Sequence, residues 1–372
     1  MTRRIVFAGG GTGGHLYPAI AIAEELRGRA PDLLFLCSDR AIDARILSAE
    51  GVTYRALPAK PAILRPRGVI RFLAGWGPSL RLSRAILREK PSVVVALGGF
   101  VAAPVVRAAR LEGAPVVMVN LDAVPGRANR LIARRADRIL SAAPGVGDGW
   151  KRIPPIVRRR ARADRSPAEC RRELGMDPGR RTLLVTGGSQ GARSINALMV
   201  VVARRHAEAL QGWQVLHQSG RGEEEEVREA YTRVGVVHVV RDLIDRMDLA
   251  WGAADLALGR AGAGTVAEAW ANRVPTIFMP YPYHKDQHQR ANAEPMREAT
   301  AGGEPAAQVV TDAIDPVRNI EVAGRLLLDL LADEARRGRM RASLEALGPA
   351  DGARQAAEAA LEFALGKARG IG

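Results

Sequence analysis

Residues 3–14 read RRIVFAGGGTGG and residues 180–191 read RRTLLVTGGSQG. The two stretches align without gaps at an offset of 177 residues, each an apolar run that ends in a glycine turn. A helical period follows both, PAIAIAEELR after the first and ARSINALMVVVARRHAEAL after the second. A short apolar run, a glycine turn and a 3.6-residue period make the strand–turn–helix unit of a parallel sheet. Its recurrence midway along the chain predicts two similar α/β domains with a cleft between them, where a ligand is expected.

The same alternation extends outward from both stretches. DLLFLCS, SVVVALGG and PVVMVN continue the first half, and WQVLHQSG, VHVVRDL, ADLALGRAG and PTIFMPY continue the second. Between them KRIPPIVRRRARADRSP (151–167) crowds Pro and Arg together and loses apolar periodicity, as an interdomain linker does. The domains are therefore expected at 1–155 and 156–345. A tail at 346–372 has a helical period and is expected to pack back on the body, with the first domain as one candidate.

Composition narrows the function classes. With 372 residues and 47% apolar content the chain can build two cores. Its most apolar stretch, VVVALGGFVAAPVV (93–106), is broken by Gly98, Gly99 and Pro104, so no membrane span is expected. MTRRIVFAGGG enters a strand directly, without a hydrophobic leader, and only Cys37 and Cys170 are present; both features suit a cytoplasmic protein. The net charge of +15 is uneven, with +17 in residues 1–166 and −2 in the rest. A basic half points to an anionic partner: nucleic acid, a membrane surface or a phosphorylated substrate. With five Tyr, six Phe and no reading motif, nothing beyond charge favours nucleic acid.

Taken literally, Gly9, Gly11 and Gly14 form G-x-G-x-x-G, with Asp39 lying 25 residues beyond Gly14. A dinucleotide site is one reading, although any strand–glycine–helix unit produces this spacing. His15 falls in the first turn of the following helix, where the positive end of the helix dipole favours the neutral, proton-accepting imidazole. A capping or packing role is the alternative. In the second half, TGGSQGARSIN offers Ser189 as a cap and backbone amides around Gly188–Gly191 as a phosphate cradle. GRAGAGTVAEAW (259–270) places Gly262, Ala263, Gly264 and Thr265 before a helix with Glu268 in its expected first turn. That carboxylate can cap amides or accept two sugar hydroxyls. YPYHKDQHQRANA (281–293) adds Asp286, His288, Gln289 and Asn292. Three polar loops at strand ends of one domain describe a nucleotide-sugar pocket better than a dinucleotide one.

GGTGGH (10–15), GGSQGAR (187–193), HQSGRG (217–222), GAGTVAE (262–268) and HKDQHQRANA (284–293) occur in order over nearly the whole chain. Together they resemble the MurG family of peptidoglycan glycosyltransferases, glycosyltransferase family 28. The resemblance implies a GT-B fold, two Rossmann-like parallel-sheet domains facing a central cleft. It also implies inverting, metal-independent transfer of N-acetylglucosamine from UDP-N-acetylglucosamine to undecaprenyl-diphosphate-linked muramyl-pentapeptide, lipid I to lipid II, with no cofactor. No Asp-x-Asp pair occurs, in keeping with transfer that uses no metal.

By the same resemblance Ser189, Gln190 and Gly191 lie near the donor diphosphate and Ile244 near the uracil. Glu268 holds the ribose, and His288 with Gln289 holds the sugar hydroxyls. Thr12, Gly13, Gly14, Arg158, Ala263, Gly264 and Thr265 complete the expected donor contacts. His15 matches the base that deprotonates the acceptor. Gly11 and Gly14, with Gly98 and Gly99 of ALGGFVAAP (96–104), match the acceptor-side loops.

The chain departs from the family at 119–122. Where members commonly carry His-Glu-Gln-Asn, Val119, Asn120, Leu121 and Asp122 stand here. Asp122 puts a negative charge where a diphospholipid approaches, as a second acid/base group or a helix cap, and another glycolipid acceptor is the alternative this raises. The stretch 62–90 interleaves Ile63, Leu64, Val69, Ile70, Phe72, Leu73 and Trp76 with Arg65, Arg67, Arg71, Arg81, Arg84 and Arg88. Such a segment suits the surface of an anionic membrane, giving an expected peripheral location on its cytoplasmic face. Burial of those apolar residues in the protein's own core is the competing expectation.

Overall fold

Short apolar runs punctuated by glycine fold here as parallel strands buried on both faces, because a helix crosses over after nearly every strand and covers one side or the other. The computed structural model describes residues 3–11, 13–29, 32–61, 65–90, 92–123, 125–143, 147–188, 191–283 and 288–366. It divides into two units, residues 1–158 with 351–372 and residues 159–350.

In the first unit β1 (Arg4–Ala8), α1 (Gly13–Leu26), β2 (Leu33–Ser38), α2 (Ala41–Ala49), β3 (Tyr54–Leu57) and α3 (Pro66–Glu89) form the first half. The second half is β4 (Ser92–Ala96), α4 (Gly99–Leu111), β5 (Val116–Asn120), α5 (Arg127–Ala133), β6 (Arg138–Ser141) and β7 (Lys151–Arg152). The sheet order is β3-β2-β1-β4-β5-β6-β7. Every pairing is parallel, with Phe7 opposite Phe35 on one side and Val95 on the other. The Pro- and Arg-rich stretch expected to be a bare linker contributes β7, in which Lys151 and Arg152 pair with Leu140 and Ser141. A two-residue edge strand is too short to leave a periodic signal.

The second unit repeats the plan with α6 (Pro167–Glu173), β8 (Arg181–Thr186), α7 (Arg193–Arg205), β9 (Trp213–Gln218), α8 (Glu224–Arg233), β10 (Val237–Arg241) and α9 (Met247–Ala253). It continues with β11 (Leu256–Gly259), α10 (Ala263–Ala271), β12 (Thr276–Phe278), α11 (His288–Glu298), β13 (Ala307–Val309), α12 (Pro316–Asn319), α13 (Arg325–Ala332) and α14 (Glu334–Ala346). Its parallel sheet runs β10-β9-β8-β11-β12-β13. The last helix, α15 (Gly352–Ala364), returns to the first unit. There Ala357, Leu361 and Phe363 join Ile5, Phe7, Ile20 and Val95 in one buried cluster. The opposite face packs Ile86, Val101 and Val105 against Val6, Val94 and Met118.

Strand order reverses between β1 and β4 in the first sheet and between β8 and β11 in the second. Loops leaving neighbouring strands there turn to opposite faces and open a crevice at the carboxyl ends of the strands. Both glycine motifs that decided the fold lie at these two points.

Candidate functional site

At the first reversal the loop after β1 meets the loop after β4. His15 is the third residue of α1, so its side chain leaves the first turn toward Gly99. A Cβ placed on Gly99 would lie 3.4 Å from His15 Cε1. Gly98 cannot be replaced without strain, since its φ is +99° and a Cβ there would meet Asn129 Oδ1 at 2.3 Å. Asn129 Nδ2 in turn donates to Asn120 Oδ1 at 3.4 Å, and Asn120 Nδ2 donates to Ser141 Oγ (3.0 Å) and the Asp122 carbonyl (2.8 Å). This buried amide network holds the second loop and the departing segment 119–122 as one piece.

Burial lowers the pKa of His15, opposed by the negative charges of Asp122 and Asp43 and by a backbone hydrogen bond with Gly10. The imidazole is therefore held neutral at physiological pH and can accept a proton, as its place at the helix N-terminus also favours. Asp122 is exposed and close enough to act on His15. It is not a helix cap, because α5 is capped at Gly126. Gly13 and Gly14 form the first turn of α1, and Thr12 lies outside the described residues. Asp39, the acidic residue of the dinucleotide reading, is ion-paired with Lys60.

At the second reversal the loops after β8 and β11 converge. Gly191 has φ +72° and a Cβ there would stand 2.5 Å from the Ser219 carbonyl oxygen, so only glycine lets this loop close on the loop after β9. The expected amide cradle is corrected in detail. Gly188 N–H donates to Thr186 Oγ1 (3.1 Å) and Gly191 N–H to the Gly188 carbonyl (3.0 Å), so both are committed inside the loop. The N-cap of the next helix is Ala192. Ser189 and Gln190 themselves lie outside the described residues, as do Asp286 and Ile63–Leu64. The N-caps of α7 and α10, Ala192 and Gly262, make no side-chain cap bond, and each helix has the positive end of its dipole there. Ala263 and Gly264 are exposed at the start of α10.

Glu268 sits in the second turn of α10 rather than the first, because the helix begins only at Ala263. Its Oε2 accepts from the indole Nε1 of buried Trp251 at 2.8 Å, which orients the carboxylate. Ile244 is buried, and its N–H donates to Gln218 Oε1 at 3.0 Å. Gln218 Nε2 donates to the Gly188 carbonyl at 2.8 Å, so one side chain ties the glycine loop to the segment carrying Ile244. Gln218 lies within HQSGRG, yet its bridging role leaves no mark in sequence. Behind it His217 bonds Tyr231 Oη (2.9 Å) and Asn196 Oδ1 (3.0 Å), with burial pushing its pKa down to about 3. His288 opens α11, and Gln289 Oε1 accepts from Tyr281 N–H at 2.8 Å. Asn292 Nδ2 donates to the Ala261 carbonyl at 3.2 Å and fixes α11 to the loop after β11.

The structure thus brings Gly191, Ile244, Ala263, Gly264, Thr265, Glu268, His288 and Gln289 onto one unit, and Gly11, Gly13, Gly14, His15, Gly98, Gly99 and Asp122 onto the other. Arg158, expected with the donor residues, belongs to the first unit, at the end of its longer segment. It pairs with Glu50 at 3.5 Å and lies 4.1 Å over the Tyr17 ring.

The models of the glycosyltransferase family 28 N-terminal and C-terminal domains match residues 5–141 and 182–311. A curated protein of Nocardioides sp., named UDP-N-acetylglucosamine--N-acetylmuramyl-(pentapeptide) pyrophosphoryl-undecaprenol N-acetylglucosamine transferase, is 37% identical over 98% of this chain and 99% of its own. A protein of the same name from Xanthomonas axonopodis pv. citri is 35% identical over 100% of this chain and 84% of its own. Among solved structures, MurG of Acinetobacter baumannii superposes with a TM-score of 0.73 at 23% identity, covering 97% of this chain and 99% of that one. The calicheamicin glycosyltransferase CalG4 superposes with a TM-score of 0.59 at 16% identity, covering 97% and 98%. The fold is that of the GT-B glycosyltransferases, and the chain belongs to glycosyltransferase family 28.

Proposed function

We infer that this chain transfers N-acetylglucosamine from UDP-N-acetylglucosamine to undecaprenyl-diphosphate-linked N-acetylmuramyl-pentapeptide, converting lipid I to lipid II in peptidoglycan synthesis. The observation that carries this is the 37% identity to the Nocardioides transferase across essentially the full length of both chains. The site chemistry agrees. His15, half-buried and neutral, takes the proton from the acceptor hydroxyl while that oxygen attacks the anomeric carbon from the face opposite UDP. The bond from that carbon to UDP breaks, its electron pair leaves on the diphosphate, and the configuration inverts. Uncapped N-termini of α7 and α10 stabilise the leaving charge. Ile244, Glu268, His288 and Gln289 hold the uracil, ribose and sugar.

We further propose that the first unit rests on an anionic membrane through α3. Val69, Ile70 and Leu73 are 42%, 65% and 62% exposed on its N-terminal part, beside exposed Arg65, Arg67 and Arg71. Arg84 and Arg88 share the Glu112 carboxylate, at 2.6 and 2.8 Å, which cancels one of their two charges. No helix among the described residues is long and apolar enough to cross a membrane. The deciding experiment is transfer from radiolabelled UDP-N-acetylglucosamine to purified lipid I in detergent. Labelled lipid II is expected; transfer confined to some other glycolipid would remove the inference.

A further inference from the structure

The loop that carries His15 is held by a carboxylate to which the reaction above gives no part. Asp43, in α2, is fully buried. Its Oδ2 accepts from Gly11 N–H (2.7 Å), Ser38 N–H (2.9 Å) and Ser38 Oγ (2.7 Å). Ser38 Oγ accepts from Arg40 N–H at 3.4 Å, which leaves its own proton for Asp43. Arg40 Nη1 donates to the Gly11 carbonyl at 2.9 Å, so both ends of Gly11 are gripped from the start of α2. A Cβ on Gly10 would lie 2.4 Å from Asp43 Oδ2, which means the carboxylate packs directly on the loop backbone.

The other oxygen, Oδ1, has no hydrogen-bond partner among the described residues. Bracing the loop requires only Oδ2, and an asparagine could do that with its single oxygen. An unpaired carboxylate oxygen in a fully buried place is costly, and the brace itself makes no use of it. His15 lies across the loop. Two carboxylates act on it, Asp122 more strongly and then Asp43, and both favour its protonated form against the burial that disfavours it. Asp122 is exposed and screened by solvent, whereas Asp43 is enclosed and its field is not. Arg40, a cation beside this arrangement, is bound to the Gly11 carbonyl and lies over the Phe100 ring at 5.3 Å.

We propose that Asp43 is a positioning residue for glycosyl transfer, clamping the first glycine loop through one oxygen and stabilising the imidazolium that His15 becomes through its charge. This rests on His15 being the base. Asp43→Asn keeps one oxygen for the three donors and replaces the charged second oxygen with a neutral NH2; Asp43→Ala removes brace and charge together. Because there are only six histidines, His15 can be followed by imidazole NMR titration, assigned with His15→Ala.

In Asp43→Asn the His15 titration is expected at lower pH than in the wild type. The acid limb of kcat/KM should move in the same direction, with UDP affinity unchanged. Asp43→Ala should in addition lower kcat by on the order of tenfold to a hundredfold at every pH, as a displaced catalytic group does. If Asp43→Ala does not fold, Asp43→Asn alone decides. A His15 titration in Asp43→Asn identical to the wild type overturns the proposal. If that titration moves while the pH profile of transfer does not, the link between Asp43 and His15 stands and His15 as the base falls.

Discussion

His15 combines two physical effects that point the same way, the enclosed position between two glycine loops and the N-terminal end of α1, and both keep the imidazole unprotonated until a substrate proton arrives. His15→Ala should therefore lower kcat by about 10²- to 10⁴-fold, the range of a lost general base, and leave UDP binding by calorimetry nearly unchanged. An unchanged kcat would transfer the role to another group, with Asp122 the nearest candidate. Glu268 calls for a paired experiment because it also satisfies the Trp251 indole. Glu268→Ala unpairs a buried donor and should cost about 1–3 kcal/mol of stability besides weakening donor binding. Glu268→Gln retains an acceptor for the indole and should weaken UDP-sugar binding with little loss of stability. Equal melting temperatures for the two variants would show that the indole bond contributes nothing.

Among the elements, α3 is divided along its length. Its C-terminal half buries Ser79, Ser83, Ile86 and Leu87 within the first unit, where the helix packs chiefly on α4, while its N-terminal half presents Ile70 and Leu73 to solvent. The expectation of burial describes the C-terminal half, and the exposure of the N-terminal half is what the proposed membrane contact rests on. Ile70→Ser with Leu73→Ser should weaken binding to anionic vesicles about tenfold or more, since each apolar side chain contributes about 1–2 kcal/mol when it leaves water. Raised salt should weaken binding of the unaltered protein too, because each arginine near the surface contributes about 1 kcal/mol. Equal sedimentation with neutral vesicles in high salt would count against a membrane role for α3.

On the scale of the whole molecule, the chain's last helix completes a core begun by its first strand. Phe363 is 1% exposed, sits in the same cluster as Phe7 and Val95, and has the Arg138 guanidinium 5.1 Å above its ring. Phe363→Ala should destabilise the first unit by about 3–5 kcal/mol in urea unfolding, the usual loss for a buried aromatic. Protease cleavage should rise within residues 1–158 and not within 159–350; a uniform rise would mean that the units do not unfold separately.

The sequence alone determined the repeated strand–glycine–helix plan, the two parallel sheets and the loops that carry chemistry. Those features depend on local requirements: apolar runs for strands buried on both faces, and glycine where a turn needs positive φ or close approach, as at Gly98 and Gly191. Only the tertiary structure decided that Asp43 is a buried brace rather than a surface charge of α2, and that Gln218 ties the segment of Ile244 to the β8 loop. It also decided that Glu268 takes its orientation from Trp251 and that α15 belongs to the first unit. Each depends on contact between residues far apart in the chain, and such contacts come into being only when the sheets assemble and their helices dock.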